Sequence, residues 1–193
     1  MSPGGAGASP DLRGVLLARH GETDDNLEPI KVQGFTDTPL NDTGRRQAAE
    51  LAERLSGAGI RTLWSSDLSR AAETAAIVGA RIGLTPRLDA RLREANRGEW
   101  EGSRFIDIAR GDPRGYAAWL AAGETFRFPG GESLQEQQDR VLATAEEMHA
   151  TCELPALAVC HGGSIRVMLC LRDPRGLAAF HEFKVPNVAV IEL

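Results

Sequence analysis

Arg13-Gly-Val-Leu-Leu-Ala-Arg-His-Gly21 is a short apolar run that ends in charge and then in glycine, and Pro155-Ala-Leu-Ala-Val-Cys-His-Gly-Gly163 repeats that arrangement far along the chain. Each reads as a compact buried strand that delivers a histidine into a turn. In a doubly wound sheet, ligands bind beyond the carboxyl ends of the strands, so His20 and His161 are expected to face one crevice. Gly21 and Gly162 let the backbone turn sharply and expose its N–H groups. A helix starting near Gly163 would add its positive end, and both features suit an anion.

Between these two stretches, Thr43 opens a helical pattern with Ala48, Leu51, Ala52 and Leu55 on one face, closed by Gly57 and Gly59. Ile60 to Trp64 reads as a second strand. Ser65-Ser66-Asp67 then offers caps for a helix through Ala71, Thr74, Ala75 and Val78, which puts Arg70 in its first turn. Thr85 to Leu88 is a third strand candidate. From Leu92 to Gly131 arginines and aromatics concentrate, so short helices and loops are expected, with an insertion at about 103–131 closing over the site. Ser133 caps a long amphipathic helix through Leu134, Val141, Leu142, Ala145 and Met148. Ile165 to Leu171 is a further helix and Val188 to Leu193 a last strand. This alternation argues an α/β three-layer sandwich: a largely parallel central sheet, with helices on both faces. The expected organisation is one domain over 12–193, after a disordered Gly- and Pro-rich tail at 1–11.

A length of 193 residues suits one domain, and 42% hydrophobic, 25% charged and 5% aromatic residues are globular values. Twenty-two basic against 27 acidic side chains leave a net charge of −5, which argues against nucleic acid and anionic membrane as partners. No apolar run reaches the ~18 residues of a membrane span, and Met1 to Asp11 lacks the pattern of a secretory signal. Cys152, Cys160 and Cys170 form no C-x-x-C pair, which fits a reducing compartment. A cytoplasmic location is the expectation.

Arginine accompanies each candidate histidine: Arg19 precedes His20, and Arg70 opens a helix. Two guanidiniums hold a phosphoryl group through forked hydrogen bonds that lysine cannot copy. A metal site is the competing reading of His20 and His161. Neither stands in H-x-x-x-H or H-x-x-E spacing, and Glu22, Asp24 and Asp25 read as loop acids, so no metal is expected. His149 and His181 read as packed or surface residues.

Arg19-His20-Gly21-Glu22-Thr23 with Asn26, Gln33-Gly34, Asp37-Thr38-Pro39-Leu40, and Thr43-Gly44 with Gln47-Ala48 form an ordered series of motifs. Ser65-Ser66-Asp67-Leu68-Ser69-Arg70-Ala71 with Glu73-Thr74-Ala75 continues it. Leu92-Arg93-Glu94 with Gly98-Glu99-Trp100-Glu101-Gly102, Gly131-Glu132-Ser133, and His161-Gly162-Gly163 with Arg166 complete it. The series resembles the histidine phosphatase superfamily, in its phosphoglycerate mutase-like branch, from about Leu16 to the last strand. That resemblance implies His20 as the nucleophile that becomes phosphorylated, with Arg19, Arg70 and His161 on the phosphoryl oxygens. It implies Asn26, Gly162 and Gln33 as further substrate-binding residues and Glu94 as the general acid and base. An alkoxide leaves badly unless protonated, so a Glu94 carboxyl held neutral by its setting is expected. The plain alternative for Glu94 is a solvated charge beside Arg93 and Arg97. No cofactor is implied, and the partner is a small phosphorylated metabolite. Dimerisation is common in the family, and no feature of this sequence demands it.

A phosphatase is favoured over a mutase on three departures. The chain stops after its final strand; Arg97 stands where the mutase pattern brings a tyrosine; and the insertion holds no adjacent Arg-Arg pair. A non-catalytic phosphate-binding module is the third reading, for which loss of His20 or Glu94 would have been the signature. Specificity is expected from the insertion with Lys31 and Phe35. Arg104, Arg110, Arg114 and Arg127 are either contacts for a second acidic group or solvated surface charges. Tyr116, Trp119 and Phe126 are either a pocket wall or packing, and Gln33 and Thr36 are placed at the pocket mouth.

Overall fold

A computed structural model describes residues 10–193. The tail expected at 1–11 lies outside them apart from Pro10 and Asp11, and Asp11 pairs with Arg13 at 2.7 Å. The strands are β1 (Val15–Arg19), β2 (Thr62–Ser65), β3 (Arg87–Leu88), β4 (Ala156–Cys160) and β5 (Val190–Glu192). The α-helices are α1 (Asp42–Leu55), α2 (Ser69–Ile82), α3 (Phe105–Gly111), α4 (Pro113–Ala121), α5 (Leu134–Thr151) and α6 (Gly162–Cys170). The sheet order is β3-β2-β4-β1-β5; all pairings are parallel except that of β5 with β1.

Side chains alternate across the sheet, so β4 serves two cores at once. Leu157 and Val159 face α1 and α2, packing with Leu51, Leu55, Ala71, Ala75 and Val78. Ala156, Ala158 and Cys160 face α5 and α6, among Val141, Met148, Ile165 and Met168. Each fully buried aliphatic side chain of this kind contributes about 1.5–3 kcal/mol. A third cluster joins Trp100, Ile108, Trp119, Phe126 and Phe128 of the middle stretch to Val167 and Phe180. It holds α3 and α4, which fall within 103–131, against the body.

Helix starts show how local chemistry sets the boundaries. Asn41 caps α1, its side chain accepting from Gly44 N at 2.8 Å. Ser133 caps α5 as the sequence suggests, and the structure adds the reciprocal bond from Ser133 N to the Glu136 side chain. The expected Ser65-Ser66-Asp67 cap of α2 does not form: Leu68 is the N-cap residue, and Asp37 Oδ1, from another part of the chain, accepts from Ser69 N at 2.8 Å. Ser66 instead bonds His161, and Asp67 forms a two-point ion pair with Arg93 at 2.7 and 2.6 Å. Arg70 still falls in the first turn.

Candidate active site

His20 leaves the end of β1, Ser66 the end of β2 and His161 the end of β4. Because β1 and β4 are neighbours in register, with Arg19 opposite Cys160, the two histidines come side by side, ring centroids 5.2 Å apart. The turn after His20 is pinned by a close backbone approach. A Cβ on Gly21 would lie 2.9 Å from the Gly44 carbonyl carbon, and one on Gly44 2.7 Å from Glu22 N, so both positions require glycine.

His20 is 3% exposed, and its Nδ1 lies 2.6 Å from the Gly21 carbonyl oxygen. A carbonyl only accepts, so Nδ1 carries the proton and Nε2 keeps its lone pair. Burial and the charges of Arg70 and Arg19 push the His20 pKa down to about 3, leaving the ring neutral at physiological pH. His161 is fully buried and is likewise held well below the usual histidine range, by burial first and by Arg70 next. Its Nε2 meets Ser66 Oγ at 2.9 Å, while that oxygen also accepts from Leu68 N. The Ser66 hydroxyl hydrogen has no other acceptor among the described residues, so it is assigned to His161 Nε2, and Nδ1 then carries the ring proton.

The guanidiniums are anchored from behind. Arg70, 0% exposed, donates from Nη1 to Thr36 O at 2.9 Å and from Nη2 to Gly34 O at 2.8 Å. Arg19 donates to Val185 O at 2.6 Å, and burial lowers its pKa to about 10. Arg19 Nε, Arg70 Nε and His161 Nδ1 are buried and have no partner among the described residues. Buried donors in folded proteins are otherwise nearly always paired, so three orphans, on the residue before His20, on Arg70 whose charge acts on His20, and on the ring 5.2 Å from it, mark a place prepared for a multivalent acceptor. The α6 N-terminus, which begins at Gly162, adds its positive end.

Glu94 is 8% exposed and therefore not a solvated charge. Its Oε2 accepts from Gly163 N at 2.9 Å, and its Oε1 from Ala95 N at 2.9 Å and Gln137 Nε2 at 2.8 Å; Arg97 Nη2 stands 3.8 Å away. Burial alone would raise its pKa, but Arg97 and these donors outweigh it and hold the carboxyl down to about 2. This corrects the expected neutral carboxyl: the Arg97 guanidinium and three hydrogen-bond donors face Glu94 and favour its carboxylate form.

A cleft of about 320 Å³ opens above, lined by Arg19, His20, Asn26, Gln33, Glu94 and Gly162 among others. Arg70 and His161 are fully buried and do not themselves line it. Asn26 Oδ1 accepts from Thr23 N and Asn187 Nδ2, and Gln33 Nε2 donates to Thr23 Oγ1. Thr36 is absent from the lining; its amide and hydroxyl donate to Glu101 Oε2 at 2.8 Å each. Arg104, Arg110, Arg114 and Arg127 are exposed and absent from the lining; Arg104 pairs with Asp107 and Arg127 with Glu136. Phe35 is also off the lining and packs under Arg93, whereas Lys31 and Trp119 are on it.

Three polar lining residues were given no site role from sequence, Arg97, Arg166 and Asn187, beside the apolar Ile30, Val32 and Phe105. Asn187 Nδ2 donates to His20 O at 3.1 Å from the approach to β5. Its one sequence signal is the segment's position just before the last strand. Arg97 and Arg166 sit three residues after Glu94 and five after His161, a proximity that made both visible but assigned neither a role.

Comparison with known proteins agrees with this geometry. The model of the histidine phosphatase superfamily (branch 1) matches residues 15–193. A relative from Salmonella paratyphi B named "Probable phosphoglycerate mutase GpmB" is 42% identical over 154 residues, which is 77% of this chain and 69% of that protein. A solved mycobacterial glucosyl-3-phosphoglycerate phosphatase complexed with VO3 superposes with a TM-score of 0.81 at 33% identity, covering 92% of this chain and 89% of its own. A mutant phosphoserine phosphatase from Entamoeba histolytica in complex with phosphoserine gives a TM-score of 0.79 at 26% identity, over 91% and 87%. Matched by that family model from residue 15 to residue 193, the chain belongs to the histidine phosphatase superfamily, branch 1.

Proposed function

We propose that this chain hydrolyses a small phosphomonoester through a phosphohistidine at His20, without a metal ion. The observation that carries the reading is the neutral His20 imidazole, with Nδ1 committed to Gly21 O and Nε2 free beside the unpartnered donors of Arg19, Arg70 and His161. Nε2 attacks phosphorus and the ester P–O bond breaks, while the three donors hold the phosphoryl oxygens as charge develops. The leaving oxygen takes a proton from Glu94. Because Glu94 waits as carboxylate, that proton enters with the substrate: a phosphomonoester monoanion carries one, and the phosphoryl charge beside Glu94 favours its transfer there. In the second half, Glu94 takes a proton from water, the oxygen of that water attacks phosphorus, the P–N bond breaks to leave neutral His20, and Glu94 returns the proton to the departing phosphate.

The name of the GpmB relatives favours a second reading, transfer of the phosphoryl group to another hydroxyl of a phosphoglycerate instead of to water. The names of the structural neighbours favour hydrolysis.

The test is turnover of p-nitrophenyl phosphate and a panel of phosphometabolites in EDTA, beside His20→Ala. Hydrolysis by the parent that is lost in the variant, with acid-labile phosphate trapped on the parent alone, is the expected result. Exchange between phosphoglycerates without net phosphate release would establish the mutase reading. Binding of phosphoesters with neither reaction would leave a binding module.

A further inference from the structure

Beyond its phosphoryl end, the cleft carries two guanidiniums that the chemistry at His20 does not use. Arg97 and Arg166 both line it, as does Lys31, and Glu94 is the one acid on that lining among the described residues. Arg97 is 8% exposed, and its guanidinium makes no hydrogen bond among the described residues; Glu94 at 3.8 Å is too distant for one. It is braced over the faces of Trp119, 5.3 Å away, and Phe128, 5.0 Å away. Arg166 donates from Nε to Phe183 O at 2.9 Å and lies over Phe180, which leaves both terminal amino groups without a partner among the described residues.

A count of charge shows what is missing. Arg19 and Arg70 match a phosphoryl dianion, and Glu94 can balance one of the remaining lining cations Arg97, Arg166 and Lys31, so two positive charges remain in surplus at that end of the cleft. A partly buried guanidinium without a counter-charge is costly, which makes a second anion the natural occupant. Planar N–H forks already stiffened by aromatic faces suit a carboxylate better than a lone ammonium would. A cleft of about 320 Å³ has room for a small molecule that spans both ends.

We propose that Arg97 and Arg166 form a carboxylate subsite beside Trp119, so that the substrate is a small phosphomonoester that also carries a carboxylate. The proposal rests on the reading of His20 as the phosphoryl acceptor, which orients the ester in the cleft. It assigns to these two positions the recognition that the outward-facing arginines of 103–131 cannot supply.

Matched esters test it: 3-phosphoglycerate against glycerol 3-phosphate, and phosphoserine against phosphoethanolamine, each pair differing at the carboxylate. The kcat/KM ratio within each pair is expected to favour the acid by about 10- to 100-fold, the range of a charge-assisted hydrogen bond. Arg166→Gln should pull both ratios toward one, with the change expressed mainly in KM. Hydrolysis of p-nitrophenyl phosphate with both ratios near one overturns the subsite and leaves the phosphatase reading standing. Should no ester turn over, that reading falls, and calorimetric Kd ratios for the same pairs with His20→Ala still decide the subsite. The parent ratios decide it too if Arg166→Gln does not fold.

Discussion

Replacing Gly163 with alanine sets a methyl group against Glu94. A Cβ at this position stands 2.8 Å from the Glu94 carboxyl carbon and closer still to Oε1, whereas unstrained contacts between heavy atoms need about 3.5 Å. Glu94 cannot easily retreat, because it is buried and its Oε1 is tied to Ala95 N and Gln137 Nε2. The carboxylate or the α6 N-terminus must shift by about 1 Å, and a misplacement of that size costs roughly 10²-fold in rate. Complete loss of the acid and base would cost about 10²–10⁴-fold. The expected fall in kcat/KM for an alkyl phosphomonoester is therefore at least about 100-fold. For p-nitrophenyl phosphate the same parameter should fall by less than about tenfold, because p-nitrophenolate departs as a stable anion without needing the proton. The assay is kcat/KM for both esters, since this parameter reports the step in which the leaving group departs, with thermal melting to confirm the fold. Equal losses for the two esters in a folded variant that still binds inorganic phosphate as tightly as the parent would refute Glu94 as proton donor. Unchanged rates for both would refute the role of the Gly163 contact in placing it.

Arg70→Lys should lower kcat/KM by about 10²–10³-fold, because an ammonium cannot bond both Gly34 O and Thr36 O and also reach the phosphoryl group; steady-state kinetics would show it, and retained activity would refute the fork. Gln137→Leu removes one of three hydrogen bonds to the Glu94 carboxylate, worth about 1.5–3 kcal/mol, so the Glu94 pKa should rise by about 1–2 units; carboxyl-carbon NMR titration, assigned with Glu94→Gln, reads the shift. Stability should decline steadily on acidification. Both histidine pKa values are depressed in the folded state, so the unfolded chain binds protons first below about pH 6.5, and Glu94 adds the same sign of effect below its ordinary range. Each histidine contributes a slope of about 1.4 kcal/mol per pH unit between its two pKa values, and His20→Gln should flatten the curve of unfolding free energy against pH over that window.

The identity of the site lay largely in short-range sequence. Apolar runs ending in His-Gly announce strand ends and turns, and small or apolar residues at helical spacing announce α1, α2 and α5, because backbone periodicity and side-chain volume act locally. The positions of His20, Arg70 and His161 relative to their own strands and helices follow from the same local rules. Local rules misplaced the start of α2, because Ser66 and Asp67 are drawn to His161 and Arg93, partners remote in the chain. They also misjudged Glu94: a carboxylate beside two arginines in sequence reads as solvated or as neutral, yet three donors from Ala95, Gly163 and Gln137 hold it ionised. The arginines of 103–131 and those of the cleft look alike in sequence, and only packing separates them, turning Arg104 and Arg127 to surface acids while laying Arg97 on Trp119 and Phe128. What this chain's sequence determined by itself was which residues stand at the ends of strands and helices, a matter of backbone periodicity. What only the tertiary structure decided was which of those ends meet, and with what charge, because strand pairing, burial and the desolvation of buried groups depend on neighbours that sequence distance does not reveal.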